Sequence, residues 1–249
     1  MIDVTTLLII FGTFLLAGTV KGVIGLGLPT VSLAILTVAF DLPQAMALLL
    51  VPSFVTNLWQ AMVGGHAREL IARLWLFFAT ATCMVWVGAL ALTRVDLSVL
   101  SALLGALLAT YAALSLIGVR LSITERKETW VGPVLGIING VLTGMTGSFV
   151  VPGVMFLQSI GLSRDMLIQA MGILFTLSTL ALGVALGGNG LLNSDQGVMS
   201  ATGLLPAIVG MMLGQRIRAK LSEDSFRKVF FVALLVTGAY IIVTAIDVL

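Results

Sequence analysis

The chain reads as all-α, a polytopic bundle of transmembrane helices. Three observations predict this. The 249 residues are 59% hydrophobic and only 10% charged, where a soluble domain carries about 25% charged residues. Mean hydropathy is +1.16, and apolar stretches long enough to cross a bilayer recur from end to end. A glycine-rich interruption also occurs twice, once in each half. An outer-membrane barrel would alternate apolar and polar residues over about ten positions, and these runs are continuously apolar.

Ten apolar segments can be counted, at about 4–24, 28–40, 44–63, 72–93, 98–118, 131–147, 149–160, 166–187, 198–216 and 226–247. The second and seventh are too short for a core of about 30 Å at 1.5 Å per residue; the other eight approach the required length. Each half therefore reads long, short, long, long, long. The halves are residues 1–119 and 131–249, separated by a polar linker over 120–130.

The interruption in the first half is Gly18, Gly22 and Gly25, followed by Pro29. In the second it is Gly140, Gly144 and Gly147, followed by Pro152, an offset of 122 residues (Gly140 against Gly18). Val87-Gly88 with Arg94, and Val209-Gly210 with Arg216, share that offset. A long apolar segment stopped by glycine and restarted as a short one is how a broken transmembrane helix reads. A matched pair of such breaks points to a transporter's substrate site.

Loop charges give the orientation. Arg68 and Arg73, then Arg120, Arg126 and Lys127, then Arg216, Arg218, Lys220, Arg227 and Lys228 mark the cytoplasmic side. The N-terminus, the Asp41 turn, the Arg94–Asp96 loop, the stretch 187–197 and Asp247 fall outside. Both termini are then outside and the halves are inverted repeats. Each half crosses five times, or three times with a re-entrant pair. The expected location is the cell membrane, multi-pass. Met1-Ile2-Asp3 has no basic n-region, so no cleaved signal peptide is expected.

The first break, Gly25-Leu26-Gly27-Leu28-Pro29, predicts a short helix beginning near Leu28 or Pro29 with unpaired amides. In the second, Thr146-Gly147-Ser148-Phe149, Ser148 is the expected N-cap and the helix should begin near Phe149. Two such N-termini facing one site near the midplane select a small anion, since each carries roughly half a positive charge. Backbone freed at that depth must line an enclosed cavity or meet a ligand.

Lys21 lies one turn before the first break. A lysine at the centre of a span costs about 2.5–3.5 kcal/mol on insertion scales. It either pairs with a bound anion or snorkels to the cytoplasmic surface. Thr143 holds the matching place in the second half. Ser53, Thr56, Asn57 and Gln60 share one face of the third segment, and Gln169, Thr176, Ser178 and Thr179 lie on the eighth. These side chains line a path or hydrogen-bond between helices. The glycines at four-residue spacing have close helix packing as their simpler reading.

Several absences shape the expectation. No segment interior carries Asp or Glu, so proton coupling through a buried carboxylate is not expected. Cys83 stands alone and is read as an inert packing residue; His66 is read as a solvated loop residue. No nucleophile–base pair or metal cage is recognisable, so an enzyme, a cofactor and a metal are not expected. The net charge of +2 gives no reason to expect nucleic acid. The expected partners are the lipid bilayer and a small anionic substrate, and a homodimer is compatible with such a bundle.

The two stretches "GVIGLGLPTVSLAIL" and "GMTGSFVVPGVMFLQ", the Val-Gly pair before each half's last span and the basic mid-chain loop resemble the sulfite exporter TauE/SafE family of membrane permeases. The resemblance covers nearly the whole chain. Leu26, Ser148 and Phe149 interrupt the denser glycine run common at this break in the family. The resemblance implies transport of small sulfur-containing anions such as sulfite, sulfoacetate or isethionate. The residues themselves give "anion", with a permease for another organic anion or a neutral solute, or a membrane scaffold subunit, as alternatives.

Overall fold

The computed structural model describes residues 3–118, 122–218 and 223–247. The elements are α1 (Val4–Ile24), α2 (Leu28–Ala39), α3 (Leu42–Met62), α4 (Ala67–Ala89, extended by a 3₁₀ turn Leu90–Thr93), α5 (Leu97–Ile117), α6 (Glu125–Thr146), α7 (Gly153–Ser159), α8 (Arg164–Gly188), α9 (Ser194–Thr202), α10 (Leu204–Arg218) and α11 (Glu223–Ile246). No strand occurs among the described residues. Among the described residues seven spans are long and apolar enough to cross a membrane, α9 and α10 together forming one of them. The fold is therefore an apolar helical bundle of a multi-pass membrane protein.

Local chemistry explains the helix boundaries. Asp41 caps α3 by accepting from the Gln44 amide at 2.8 Å, and Asp96 caps α5 by accepting from the Ser98 amide at 2.8 Å. Asn193 and Gln196 form a reciprocal capping box on α9. Gly25 and Gly147 end α1 and α6 in the left-handed conformation, at φ of 81° and 73°, each donating its amide one turn back, to Lys21 and Thr143.

The helices pair across the two halves. Along α1, Gly18 and Gly22 face the backbone of Ala207 and Met211 on α10, so these helices run parallel. A Cβ at either glycine would lie 2.2 or 2.3 Å from a carbonyl oxygen. Along α6, Gly140 and Gly144 face Ala81 and Val85 of α4, where a Cβ would meet oxygen at 2.4 and 2.1 Å. Gly88 and Gly210 return the contact, against Val141 and Leu15. Only a residue without a side chain lets backbones approach this closely. The four-residue glycine spacing is thus explained by helix packing. Two antiparallel pairs complete the bundle, α3 with α8 and α5 with α11, the latter through Gly105 and Gly238.

The bundle surface is apolar. Trp59, Trp75 and Trp130 are 67%, 57% and 80% exposed, toward the helix ends that carry Arg68, Arg73 and Arg126. Cys83 is exposed on α4 and is not a packing residue; it faces outward because α4 turns its other side to α6 and α8.

Helix boundaries differ from expectation in four places. The seventh segment is helical only over Gly153–Ser159, and Phe149 does not begin it. The polar linker is shorter than 120–130, since α6 opens at Glu125. Arg73 is not a loop residue, since α4 begins at Ala67 and Arg73 lies in its second turn; His66 does lie in the loop, at the α4 N-cap position, with an exposed side chain. The ninth segment is two helices, divided at Gly203, where a Cβ would lie 2.4 Å from the Phe14 ring. Arg120 and Lys220 lie outside the described residues.

Candidate functional site

The first break brings Lys21 into the protein interior. Its side chain is 4% exposed, which excludes snorkelling to a surface. Its ammonium donates to Thr56 Oγ1 at 3.2 Å and to Asn57 Oδ1, both on α3. Thr56 passes its own hydroxyl hydrogen to the Pro52 carbonyl at 2.8 Å. Around this cluster Ser53 Oγ and Asn57 Nδ2 are buried with no hydrogen-bond partner. Buried polar groups are rarely left so, and each orphan asks for an explanation.

Just beyond, Gly25 packs 3.6 Å from Ile168 at the start of α8, measured from an ideal Cβ. Gly27, at φ 111°, is the N-cap of α2, with Leu28 as its first residue and Pro29 as its second. The α2 N-terminus has no side-chain cap. Ser32 donates to the Leu28 carbonyl at 2.7 Å and so leaves the amide end unoccupied. This matches the expected start of the short helix.

The second break is built differently. Ser148 does not cap a helix. Its amide donates to Thr146 Oγ1 at 3.2 Å, its carbonyl accepts from Thr143 Oγ1 at 2.9 Å, and its hydroxyl is buried without a partner. The chain then runs non-helically through the cis Val151–Pro152 peptide. The first amide of α7, on Gly153, donates to Asn139 Oδ1 at 2.9 Å. Phe149 is buried with its ring 5.7 Å from that of Phe175 on α8. Gly147 meets α2 and α3, its ideal Cβ lying 2.8 Å from Met46 Cγ and 3.4 Å from Leu33 Cδ1.

Gln60 and Gln169 form a third feature. Gln60 Nε2 donates to the Ile168 carbonyl at 2.7 Å, and Gln169 Nε2 donates to the Ala61 carbonyl at 2.8 Å. Gln169 Oε1 also accepts from the His66 amide at 2.9 Å. The two glutamines thus clasp one end of the α3–α8 pair. Gly172 permits the approach, since a Cβ there would lie 2.6 Å from the Ala61 nitrogen. Thr176 satisfies its hydroxyl within α8, on the Gly172 carbonyl at 2.7 Å. Ser178 Oγ is buried without a partner.

Lys21, Gly25, Gly27, Leu28 and Asn57 therefore gather at one break. Thr146, Gly147, Ser148 and Phe149 gather at the other. Gln60 and Gln169 gather at the clasp. No hydrogen bond joins the Lys21 cluster to the second break among the described residues. Both path lining and interhelical bonding were open for the α3 face; Thr56, Asn57 and Gln60 do make interhelical bonds, while Ser53 makes none.

Three arrangements were not visible in the sequence. Arg73 makes a two-pronged ion pair with buried Glu128, at 2.9 and 2.6 Å, and donates to the Ile160 carbonyl at the end of α7 at 3.1 Å. Asn139 holds Gly153. Ser200 of α9 donates to the Leu48 carbonyl at 2.7 Å and accepts from the Val51 amide at 3.0 Å. Pro52 has no N–H to offer Leu48, its partner four residues back, so a proline in mid-segment signalled the free carbonyl but not the residue that fills it.

A family model described as sulfite exporter TauE/SafE matches residues 10–241, which spans both breaks, the clasp and all helices from α2 to α10. The chain belongs to the sulfite exporter TauE/SafE family. That is a family of membrane transporters, and this points away from an enzyme. No curated protein and no solved structure matches the chain. In this TauE/SafE member the buried lysine therefore sits in a transporter, beside the first of its two breaks.

Proposed function

We propose that this TauE/SafE protein is a secondary transporter of a small sulfur-containing anion, such as sulfite or an organosulfonate, acting as an exporter or facilitator in the cell membrane. One observation carries the proposal. Lys21 is a buried lysine whose hydrogen-bond partners are neutral oxygens, one turn from a helix break whose amide end has no side-chain cap. A buried charge without a counter-charge is strongly unfavourable, and a bound anion resolves it. The α2 amides would add directional bonds and the helix dipole about 0.3–2 kcal/mol.

The binding site centres on the first break, with Lys21, Asn57 and Ser53 as donors. The second break contributes a packed wall more than an amide cradle, because its own side chains occupy Ser148 N and Gly153 N. Movement by alternating access is supported by the helix pairing. Exchanging α1 with α6, α4 with α9–α10, α2 with α7, α3 with α8 and α5 with α11 maps each principal contact onto another: α1 on α10 onto α6 on α4, and the antiparallel pairs onto themselves. Such inverted symmetry gives a protein two related packings, one open to each side. In this reading both termini lie outside and the Gln60–Gln169 clasp closes the cytoplasmic side.

The test is uptake into liposomes of sulfite, sulfate, sulfoacetate, isethionate and acetate, with the membrane potential set to either sign. Saturable flux with mutual competition among sulfur anions is expected. Its loss in Lys21→Ala separates an anion carrier from a neutral-solute permease, which would transport unchanged.

A further inference from the structure

The two short helices are tied to the bundle differently. α7 is pinned at both ends. Its first amide, on Gly153, donates to Asn139 Oδ1 of α6 at 2.9 Å. At its far end the Ser159 carbonyl accepts from the Ile123 amide at 2.8 Å, and the Ile160 carbonyl accepts from Arg73 of α4 at 3.1 Å. Arg73 is itself held by buried Glu128 of α6. Between these ends the Phe156 ring lies 4.7 Å from that of Phe77 on α4. Since α4 and α6 are pressed together through Gly88, Gly140 and Gly144, the three helices form one body. α2 has no such ties. Among the described residues no hydrogen bond joins it to another helix. The Ser32 hydroxyl bonds within α2, and Thr37 Oγ1 is buried without a partner. Its buried face is chiefly apolar, through Leu28, Val31, Leu33 and Leu36. At the offset that relates Gly18 to Gly140, the pinning residues Asn139, Glu128 and Arg73 match Ala17, Thr6 and Asp195, so the pins are not repeated around α2.

We propose that α2 is the moving gate of the first break, hinged at Gly25 and Gly27, and that Asn139 and Arg73 are positioning residues that keep α7 still; the proposal rests on the anion-carrier reading above. Moving α7 would strip the Gly153 amide and the Ile160 carbonyl of their partners, and buried polar groups are costly to leave unpaired. Moving α2 trades one set of apolar contacts for another and breaks no bond to a neighbour, the condition under which packed helices slide. Gly25 and Gly27, at φ of 81° and 111°, lie between α1 and α2 and absorb the change of direction. Because α2 starts at the break beside Lys21, its shift opens or closes the place where an anion sits. The two halves then do not trade packings as equals: α2 moves against a fixed body of α4, α6 and α7.

The experiment is hydrogen–deuterium exchange on the full chain in lipid nanodiscs, with and without sulfite at about ten times its half-saturating concentration for liposome flux. Sulfite should slow exchange along the whole of α2, out to Leu36, by about tenfold, and across α7 by less than about twofold. Arg73→Gln and Asn139→Ala each release one end of α7. In either variant exchange across 153–159 without sulfite should rise about tenfold, while sulfite still protects α2. The variants act on opposite ends of α7, so one that folds suffices. Protection confined to the first turn of α2 would make it a static wall of the site and overturn the gate. Equal protection of α2 and α7, or α7 exchange unmoved by either variant, would overturn the division between them. Each of these outcomes leaves an anion carrier in place. Absence of saturable sulfite flux, together with absence of protection in any helix, would overturn the carrier reading and the gate with it.

Discussion

The two glycine-rich breaks begin alike and end differently. Both terminate a helix on a left-handed glycine, Gly25 or Gly147. Both are preceded by glycines that press α1 onto α10 and α6 onto α4. Past that point they part. The first break carries a buried lysine and opens onto a helix of 12 residues with an uncapped amide end. The second carries Thr143 in the lysine's place, ties its own backbone with Thr143, Thr146 and Asn139, and leads into a helix of 7 residues. One copy of the motif buries a lysine among neutral partners, and the other ties down its backbone amides while the Ser148 hydroxyl stays buried without a partner.

The comparison is sharpest where the breaks agree. Gly22→Val and Gly144→Val should be equally damaging, since each drives a Cβ to within 2.3 Å of a carbonyl oxygen on the facing helix. A loss above about 4 kcal/mol is expected in both, read as failure to recover monodisperse protein after extraction. If one were tolerated, the packing of the two halves would not be equivalent.

Next come the residues in matched positions. Lys21→Met should abolish most anion flux, by about tenfold or more, while stability is unchanged or raised because a buried charge is removed. Thr143→Val should do the reverse. Flux persists and stability falls by about 1 kcal/mol for the hydrogen bond lost to Ser148. Thermal unfolding and liposome flux on the two variants give a crossed pattern, and parallel losses would break the division of roles.

Asn139→Ala tests the second break directly. It removes the acceptor of the Gly153 amide and should destabilise by about 1–3 kcal/mol. Anion affinity should not change, and a shift in affinity comparable to that of Lys21→Met would place the second break in the binding site.

The smallest effect separates the two helix-ending glycines. Alanine at either must adopt positive φ, at about 1–2 kcal/mol. Gly147→Ala should exceed Gly25→Ala, because its Cβ would press on Met46 Cγ at 2.8 Å, whereas at Gly25 the nearest atom, on Ile168, is 3.6 Å away. Denaturation midpoints rank the two.

The bundle was legible in the sequence because membrane crossing imposes a length and an apolar composition that few other folds need. The start of α2 followed from Gly27 and Pro29, whose conformational limits act within one turn. The start of α7 did not follow. Ser148 is a good capping residue in isolation, but Thr143, Thr146 and Asn139 on α6 reach its neighbourhood first and offer other partners. Residues near the linker were misplaced for a similar reason. Glu125 to Glu128 look like a polar loop until Arg73 is brought alongside to neutralise Glu128 inside a helix.

By itself the sequence determined the helical membrane class, the two breaks, the glycine spacing and the presence of one unmatched lysine. These depend on composition and on contacts within a turn or two. Which way Lys21 points, that Thr56 and Asn57 receive it, that Ser200 fills the gap made by Pro52, and that the two breaks differ in their polar partners were decided only by tertiary structure. Each of those bonds joins residues far apart in the chain, and their selection depends on which helices pack face to face.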